Sequence, residues 1–370
     1  VPADDRRGCL ADPARDKTVN LAEIISRRIA SEGPITVADY MQECLLHPTL
    51  GYYTTRPAIG NEGDFITAPE ISQMFGELIG LCLAQAWIDQ GCPAPFTLAE
   101  LGPGRGTLMT DALRAARQVP GFVEATQIVL VEASERLRGI QQQALRDHPV
   151  AFLQNADALP ERPLFLVANE FFDALPIRQF LRAEHCWQEH RVGVRDSVLT
   201  LGLGPEMPQP FLAHRLADTK PGDCVEYAPS AAPIIAEISD RIARYGGAGL
   251  IIDYGDWRSL GDTWQALRAH EKTDPLAEPG AADLTAHVDF EALVMAARCA
   301  VTRLTPQGVF LERLGITQRA QALAQKLSGS ALEAHIAAHR RLTHPAEMGN
   351  LFKVQGLFPE GHRPPPGLNV

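Results

Sequence analysis

The chain has 370 residues, of which 45% are hydrophobic and 21% charged, and its formal charge at pH 7 is −11. That length allows one large or two modest domains around a substantial core, while the acidic balance argues against a nucleic-acid groove as the working surface. No stretch approaches the ~20 uninterrupted apolar residues of a membrane span. The seven cysteines, at 9, 44, 82, 92, 186, 224 and 299, form no C-x-x-C pair and no zinc-like spacing. They read as buried or incidental thiols of a reducing compartment, with no metal site.

The opening VPADDRRGCLADPARDK has no apolar core like that of a signal peptide and more Asp than a transit peptide carries. Residues 1–20 therefore read as a flexible tail. Residues 21–95 read as a helical cap region. A first helix begins near Leu21, and TVADYMQECLLH forms a second with Thr36 as its cap. After a loop rich in Gly, Pro and Thr, a third helix is predicted over 69–90. It opens on Pro-Glu, as helix first turns often do, and its apolar residues at 71, 74, 75, 78, 79, 82 and 83 keep helical spacing.

From Phe96 onward, strands alternate with helices. Strands are predicted at 96–101, 127–132, 150–153, 163–168 and 248–253, and amphipathic helices at 106–118, 134–146 and 230–244. Short apolar strands separated by helices predict an α/β fold with a mainly parallel sheet covered on both faces. Residues 96–176 would form the first part of this core. The polar–apolar alternation of IRQFLRAEHCWQEHRVGVRDSVLTLGLG marks an inserted antiparallel β/α region over 177–246, read as a lid or substrate wall, with the core resuming over 247–355. Within that last part, 256–282 is an excursion and 290–300 a helix. Strands around 301–304 and 309–313 complete the sheet, and 316–342 is helical. A loose proline-rich tail, 356–370, ends the chain.

The segment FTLAELGPGRGTLMTDALRAA carries the chemistry. Its glycine loop lacks the lysine of a phosphate-gripping Walker loop. It also misses the G-x-G-x-x-G dinucleotide spacing, because Thr107 stands where the third glycine belongs. The pattern is Glu100, Gly102, Gly104, Gly106. A carboxylate at the end of the first strand repels a pyrophosphate but suits a ligand with an ammonium and a sulfonium, such as S-adenosylmethionine. Glycines let the backbone approach that ligand, and the following helix N-terminus suits its carboxylate. Glu132, ending the next strand, can accept from ribose hydroxyls, and Asp157, after the third strand, can reach the adenine amino group.

Five segments together, GDFITAPEISQMFGE (63–77), ELGPGRGTL (100–108), NEFFDALPIRQF (169–180), DLTAHVDF (283–290) and MGNLFKV (348–354), resemble the family of mitochondrial complex I assembly factor 7 (MidA-like) methyltransferases, which has bacterial members. The match runs from about residue 20 to 355. The resemblance implies a class I, Rossmann-like methyltransferase fold with a large insertion, S-adenosylmethionine as cofactor, and methylation of a protein arginine. In mitochondrial members the target is a complex I subunit in the matrix. The acid-rich start points instead to a bacterial cytoplasmic protein, and a homo-oligomer is left open.

Arginine is a poor nucleophile because its guanidinium is protonated and delocalised, so an enzyme acting on it needs carboxylates to clamp the fork. Glu170 and Asp173 are the expected clamp, with Asn169 and Phe171 shaping the pocket. Asp64 and Phe65 are expected to fold over the cofactor with Thr67 nearby. His287 is a candidate proton acceptor, Asp253 and Tyr254, ending the fifth strand near the cleft, read as a substrate contact or a structural turn, and Lys353 reads as structural. Three other readings compete: methylation of another planar nitrogen, a non-catalytic assembly chaperone keeping the cofactor fold, and a dehydrogenase. The Asn-Glu-Phe-Phe run lacks the Pro-Pro-aromatic signature of nucleobase enzymes, and the glycine spacing disfavours the last.

Overall fold

The computed structural model describes residues 20–55 and 67–370. At its centre lies a sheet of strands β1 (Phe96–Leu101), β2 (Thr126–Val131), β3 (Val150–Leu153), β4 (Leu164–Asn169), β5 (Gly247–Asp256), β6 (Ala300–Val301) and β7 (Phe352–Phe358). Their order is β3-β2-β1-β4-β5-β7-β6. The first five run parallel, and β7 is antiparallel to both β5 and β6. Chain order reverses between β1 and β4, which opens a crevice at the carboxyl ends of those strands, where open α/β sheets bind their ligands.

Strand alternation sends side chains into two layers. Leu98, Phe165, Val167 and Ile252 face one core, while Ala99, Leu101, Leu166 and Ile251 face the other. With α1 (Leu21–Glu32) and α2 (Val37–Leu46) preceding them, the covering helices are α3 (Gln73–Asp89), α4 (Thr107–Ala116), α5 (Glu135–Ala144) and α6 (Ala231–Tyr245). The first core lies under α3 and α4, and α6 packs on the second. The helix α3 is apolar nearly all round, as a buried helix must be. Its buried acid, Glu77, is 4% exposed and accepts from Arg114 at 2.5 Å and from Arg319 at 2.7 and 2.9 Å. These hydrogen bonds hold its carboxyl below the usual range.

The predicted cap at Thr36 is present as a reciprocal capping box. Asp39 N–H donates to Thr36 Oγ1 at 2.9 Å, and Thr36 N–H to Asp39 Oδ2 at 3.1 Å. The antiparallel strands read from the alternation are Arg178–Arg182, Trp187–Arg195, Val198–Met207 and Cys224–Tyr227. They form a second sheet, which recruits Ile35–Thr36 from the N-terminal region. Residues of α1 and α2 share one core with Ile177, Val192 and Leu284, so the N-terminal region and the insertion form one body beside the crevice.

Four expectations are corrected. The single helix over 69–90 is broken at Ser72, whose extended backbone separates the turn Ala68–Ile71 from α3 and whose hydroxyl caps α3 through Met74 N–H. Residues 309–313 lie in the helix α7 (Gln307–Arg313), and the predicted neighbouring strand contracts to Ala300–Val301. Phe310 and Leu311 are adjacent buried residues, a short apolar run that periodicity cannot tell from a strand. The sheet is completed by β7, and the helical stretch from 316 is two helices, Ile316–Ala324 and Gly329–Thr343. Finally, the proline-rich end is docked. Leu368 is 5% exposed, Arg303 N–H donates to Asn369 O at 2.8 Å, and Arg313 to Gly367 O at 3.0 Å.

The seam between α3 and α4 depends on absent side chains. A Cβ at Gly80 would sit 2.5 Å from Ala112 Cα, and one at Gly76 would lie 2.7 Å from Asp111 Cβ. Alanine gains about 1 kcal/mol of helix propensity over glycine, but the contact at Gly80 is with backbone, which cannot turn aside. Gly80→Ala should therefore cost about 1–3 kcal/mol net, read as a lowered denaturant midpoint. An unchanged or raised midpoint would show that the helices separate freely.

Candidate functional site

The glycine loop forms one wall of the crevice. Gly102, Gly104 and Gly106 carry φ of +60°, +54° and +80°, a region open to glycine without Cβ strain. Gly102 N–H donates to Val131 O at 3.0 Å and Gly106 N–H to Pro103 O at 2.7 Å, folding the chain from β1 into the first turn of α4. A Cβ on Gly102 would meet Phe171 Cδ2 at 2.9 Å. The loop thus rests directly on the turn that follows β4.

Glu100 is 3% exposed. It accepts the Met109 N–H, and burial nevertheless pushes its carboxyl up to about 8. Its Oε2 has no partner in the protein. Asn169, 7% exposed at the end of β4, donates from Nδ2 to Glu170 Oε1 at 3.1 Å and leaves Oδ1 unpaired. Both residues line the same cleft with Gly102, Gly104, Thr107 and Thr67. Two buried acceptors without donors form a costly arrangement unless a ligand supplies the donors. An ammonium fits that need, and a phosphate does not.

Glu132 stands behind the loop. Its Oε1 accepts Ser134 N–H at 2.8 Å and its Oε2 accepts Gln141 Nε2 at 3.0 Å, while the same amide donates to Gly104 O at 2.8 Å. Each carboxylate oxygen keeps a further lone pair for a ribose hydroxyl. Gln141, fully buried, is a bracing residue that sequence reading missed. A glutamine on the apolar face of a predicted helix was its signal. Asp157 lies exposed on the turn Ala156–Ala158 and does not line the cleft. Asp64 and Phe65 fall outside the described residues.

The turn Ala68–Ile71 bridges the mouth. Ala68 N–H donates to Glu170 Oε1 at 3.1 Å, and the Thr107 hydroxyl to Glu70 Oε1 at 2.5 Å. Glu170 itself has φ of +51°, a conformation costly for a residue with a Cβ. Asp253 explains why it persists. This residue, fully buried at the end of β5, accepts with Oδ2 the N–H groups of Phe171, Phe172 and Asp173 at 3.2, 2.9 and 3.3 Å. Its Oδ1 accepts Tyr254 N–H at 3.0 Å. The sequence reading left Asp253 between substrate contact and structural turn, and the structure gives it the second role.

Burial, with the charge of Asp173 added, pushes Glu170 up to about 7. Asp173 is 6% exposed and burial pushes it up to about 6. It sits behind the cleft, beside the Tyr254 hydroxyl, which opposes that push. His287 lines a separate cavity with Phe172 and Ile177, its ring edge-on to Tyr254 at 5.3 Å. Burial and the charges of Lys272 and Lys353 lower its pKa, which favours the neutral ring. Lys353 has the structural role expected, donating to Gly255 O and Asn350 O at 3.1 and 2.7 Å. Among the described residues no His/Cys/Asp/Glu group is arranged to hold a metal, and no helix is long and apolar enough to cross a membrane.

Comparison with known proteins agrees with this geometry. Residues 78–309 match the family model described as "Putative S-adenosyl-L-methionine-dependent methyltransferase". Protein arginine methyltransferase NDUFAF7, mitochondrial, of Bos taurus is 37% identical over 379 residues, covering 94% of this chain and 86% of that protein. The Drosophila melanogaster homolog is 35% identical, covering 92% and 85%. A solved structure from Burkholderia thailandensis bound to S-adenosyl-homocysteine superposes with a TM-score of 0.80 at 29% identity, covering 94% of this chain and 93% of that one.

With Glu100 pushed up to about 8, burial holds this acid protonated at pH 7, whereas a bound ammonium favours its ionised form. Cofactor uptake below pH 8 should therefore release a proton, visible by calorimetry in buffers of different ionisation enthalpy. Glu100→Gln should abolish that release and weaken binding about tenfold or more, the worth of a charge-assisted hydrogen bond. Equal affinity and equal proton release in the variant would remove Glu100 from the site. The acid–glycine loop, the reversal of strand order and these relatives lead to one conclusion: the chain belongs to the S-adenosyl-L-methionine-dependent methyltransferase family, with the class I fold and S-adenosylmethionine as its cofactor.

Proposed function

We propose that this methyltransferase acts on an arginine side chain of a protein. The observation that carries the reading is the Glu170 carboxylate, which lines the cofactor cleft beside Asn169 and is forced there by the turn after β4. The names of the relatives support it. In finer detail, we take the substrate to be a respiratory complex I subunit or its bacterial counterpart, following the family resemblance. We place the enzyme in the bacterial cytoplasm, where the six described cysteines, all unpaired, would stay reduced.

The cofactor, held by Glu100 and the glycine loop, would supply an electrophilic methyl on a sulfonium, with a neutral thioether as its leaving group. The chain's part is to hold one guanidinium nitrogen in line with that methyl, at about 3–3.5 Å, and to take the proton that nitrogen loses. Glu170, pushed up to about 7, is suited to both tasks, because an acceptor works best with a pKa near ambient pH. Asp173 adds negative charge behind it. His287 acts in this reading through Tyr254, as a positioning residue.

Purified enzyme offered labelled cofactor and a cell lysate should place the label on arginine, located by mass spectrometry. The ionised form of Glu170 is the active one, so kcat/KM should rise through pH 7 and level off above it. Glu170→Gln should lose about 10²–10⁴-fold in kcat, flatten that rise and keep cofactor affinity. Label on a residue other than arginine, or near-normal turnover in the variant, would overturn the reading.

A further inference from the structure

A second cavity lies behind the turn after β4, apart from the cofactor cleft. That turn, the end of the strand Cys224–Tyr227, the start of α6 and the segment from Ala286 to Leu293 build it together. Phe172, Ile177, Val288 and Leu293 form its buried floor, and the half-buried Tyr227, Ala232, His287 and Ala292 form a rim that opens to solvent. The cavity offers about 60 Å³ to the centres of water-sized molecules. One water needs about 10–15 Å³ in that measure, so about four to six waters, or one branched aliphatic side chain, would fill it. Protein interiors seldom leave a void of that size. Here alanines keep it open: Ala231 and Ala232 on α6, Ala286, and Ala292.

Two acids border the cavity, and both are already engaged. Glu226 accepts on Oε1 from Gln179 Nε2 at 2.8 Å and from the N–H groups of Thr263 and Trp264 at 2.9 and 3.1 Å, and on Oε2 from the Thr263 hydroxyl. Asp289 accepts the Ala292 N–H on Oδ1 at 3.0 Å, and on Oδ2 the Ser259 N–H at 3.2 Å and Arg215 at 3.3 Å. A cation would find these acceptors taken, and an anion would be repelled by them. The floor therefore suits an uncharged, apolar group. The rim is different. The ring nitrogens of His287 and the hydroxyl of Tyr227 carry no hydrogen bond among the described residues, although His287 packs edge-on to Tyr254 and Tyr227 stacks on Phe211. Both can pair with the amide groups of a peptide. An apolar floor under a few open polar groups is the usual construction of a ligand pocket.

Its position ties the cavity to the reaction. Glu170 lines the cofactor cleft and Phe172 the cavity, and both belong to the turn that Asp253 holds. Ala286 N–H donates to Asp173 O at 3.0 Å, which fastens the facing wall to the same turn. Two residues of chain span at most about 7 Å. In an extended peptide, side chains two positions apart share one face at about the same spacing. We propose that the cavity receives an apolar side chain, of the valine or leucine class, two positions from the arginine that is methylated. The proposal rests on the arginine reading and adds to it the sequence context of the target.

The test uses the full chain saturated with S-adenosyl-homocysteine, titrated by calorimetry with two pentapeptides, acetyl-Leu-Gly-Arg-Gly-Leu-amide and acetyl-Ser-Gly-Arg-Gly-Ser-amide. Leucine stands on both sides because the direction of the bound chain is left free. Wild type should bind the leucine peptide about tenfold or more tighter, the effect of burying one aliphatic side chain. Ala232→Leu and Ala292→Leu fill the cavity from its rim with a good helix former. Each should erase the preference and leave S-adenosyl-homocysteine affinity unchanged, and the two lie on different helices, so one decides the matter if the other fails to fold. A mere packing void, once filled, would raise the denaturant midpoint and leave the preference alone. Indistinguishable binding of the two peptides by wild type, or a preference kept in a folded variant, overturns the pocket while leaving arginine methylation standing. Absence of label on arginine when wild type is offered the lysate overturns the underlying reading itself.

Discussion

The site depends on one buried carboxylate. Asp253 gathers three successive N–H groups of the turn after β4 on a single oxygen, and that turn begins with Glu170 in a left-handed conformation. Strain of this kind persists only where surrounding structure over-determines it. The neighbouring acids Asp173 and Glu170, together with burial, push Asp253 upward, and the N–H donors oppose that push. The result is a rigid corner whose outward product is a carboxylate held at the cofactor cleft.

The corner also sets the position of its neighbours. Phe171 is pressed against Gly102, so the β4 turn and the glycine loop define each other's place. The loop in turn is braced through Gln141 to Glu132, and the turn Ala68–Ile71 joins the two walls by way of Glu170 and Thr107. The glycine-loop wall and the β4-turn wall of the cleft therefore share their supports. A change in one is expected to be felt in the other, because buried networks of this kind are not additive.

Much of this was legible in the sequence, and what was not has physical reasons. The parallel strands were found because buried strands are short continuous apolar runs, and Glu100 with its glycines because the left-handed loop admits few other residues. The turn before α3 was merged into that helix because Pro69 and Glu70 are good first-turn residues, and the break lies in the extended backbone of Ser72. The strand β7 was missed because it follows a long helical stretch, and its pairing with β5 is a long-range fact. Asp253 was read as a substrate contact or a structural turn, without the donors it gathers. A carboxylate that caps a turn some 80 positions away leaves no local pattern.

Backbone amide exchange at the β4 turn tests the central claim most directly, comparing the wild type with Asp253→Ala. Each N–H left without its acceptor costs about 1–3 kcal/mol. Exchange at Phe171, Phe172 and Asp173 should therefore accelerate at least about tenfold, while Leu98 and Ala99 in β1 keep their protection. Unchanged protection at the turn in a folded variant would contradict the account, since it would mean that the corner holds its shape, and Glu170 its place, without Asp253.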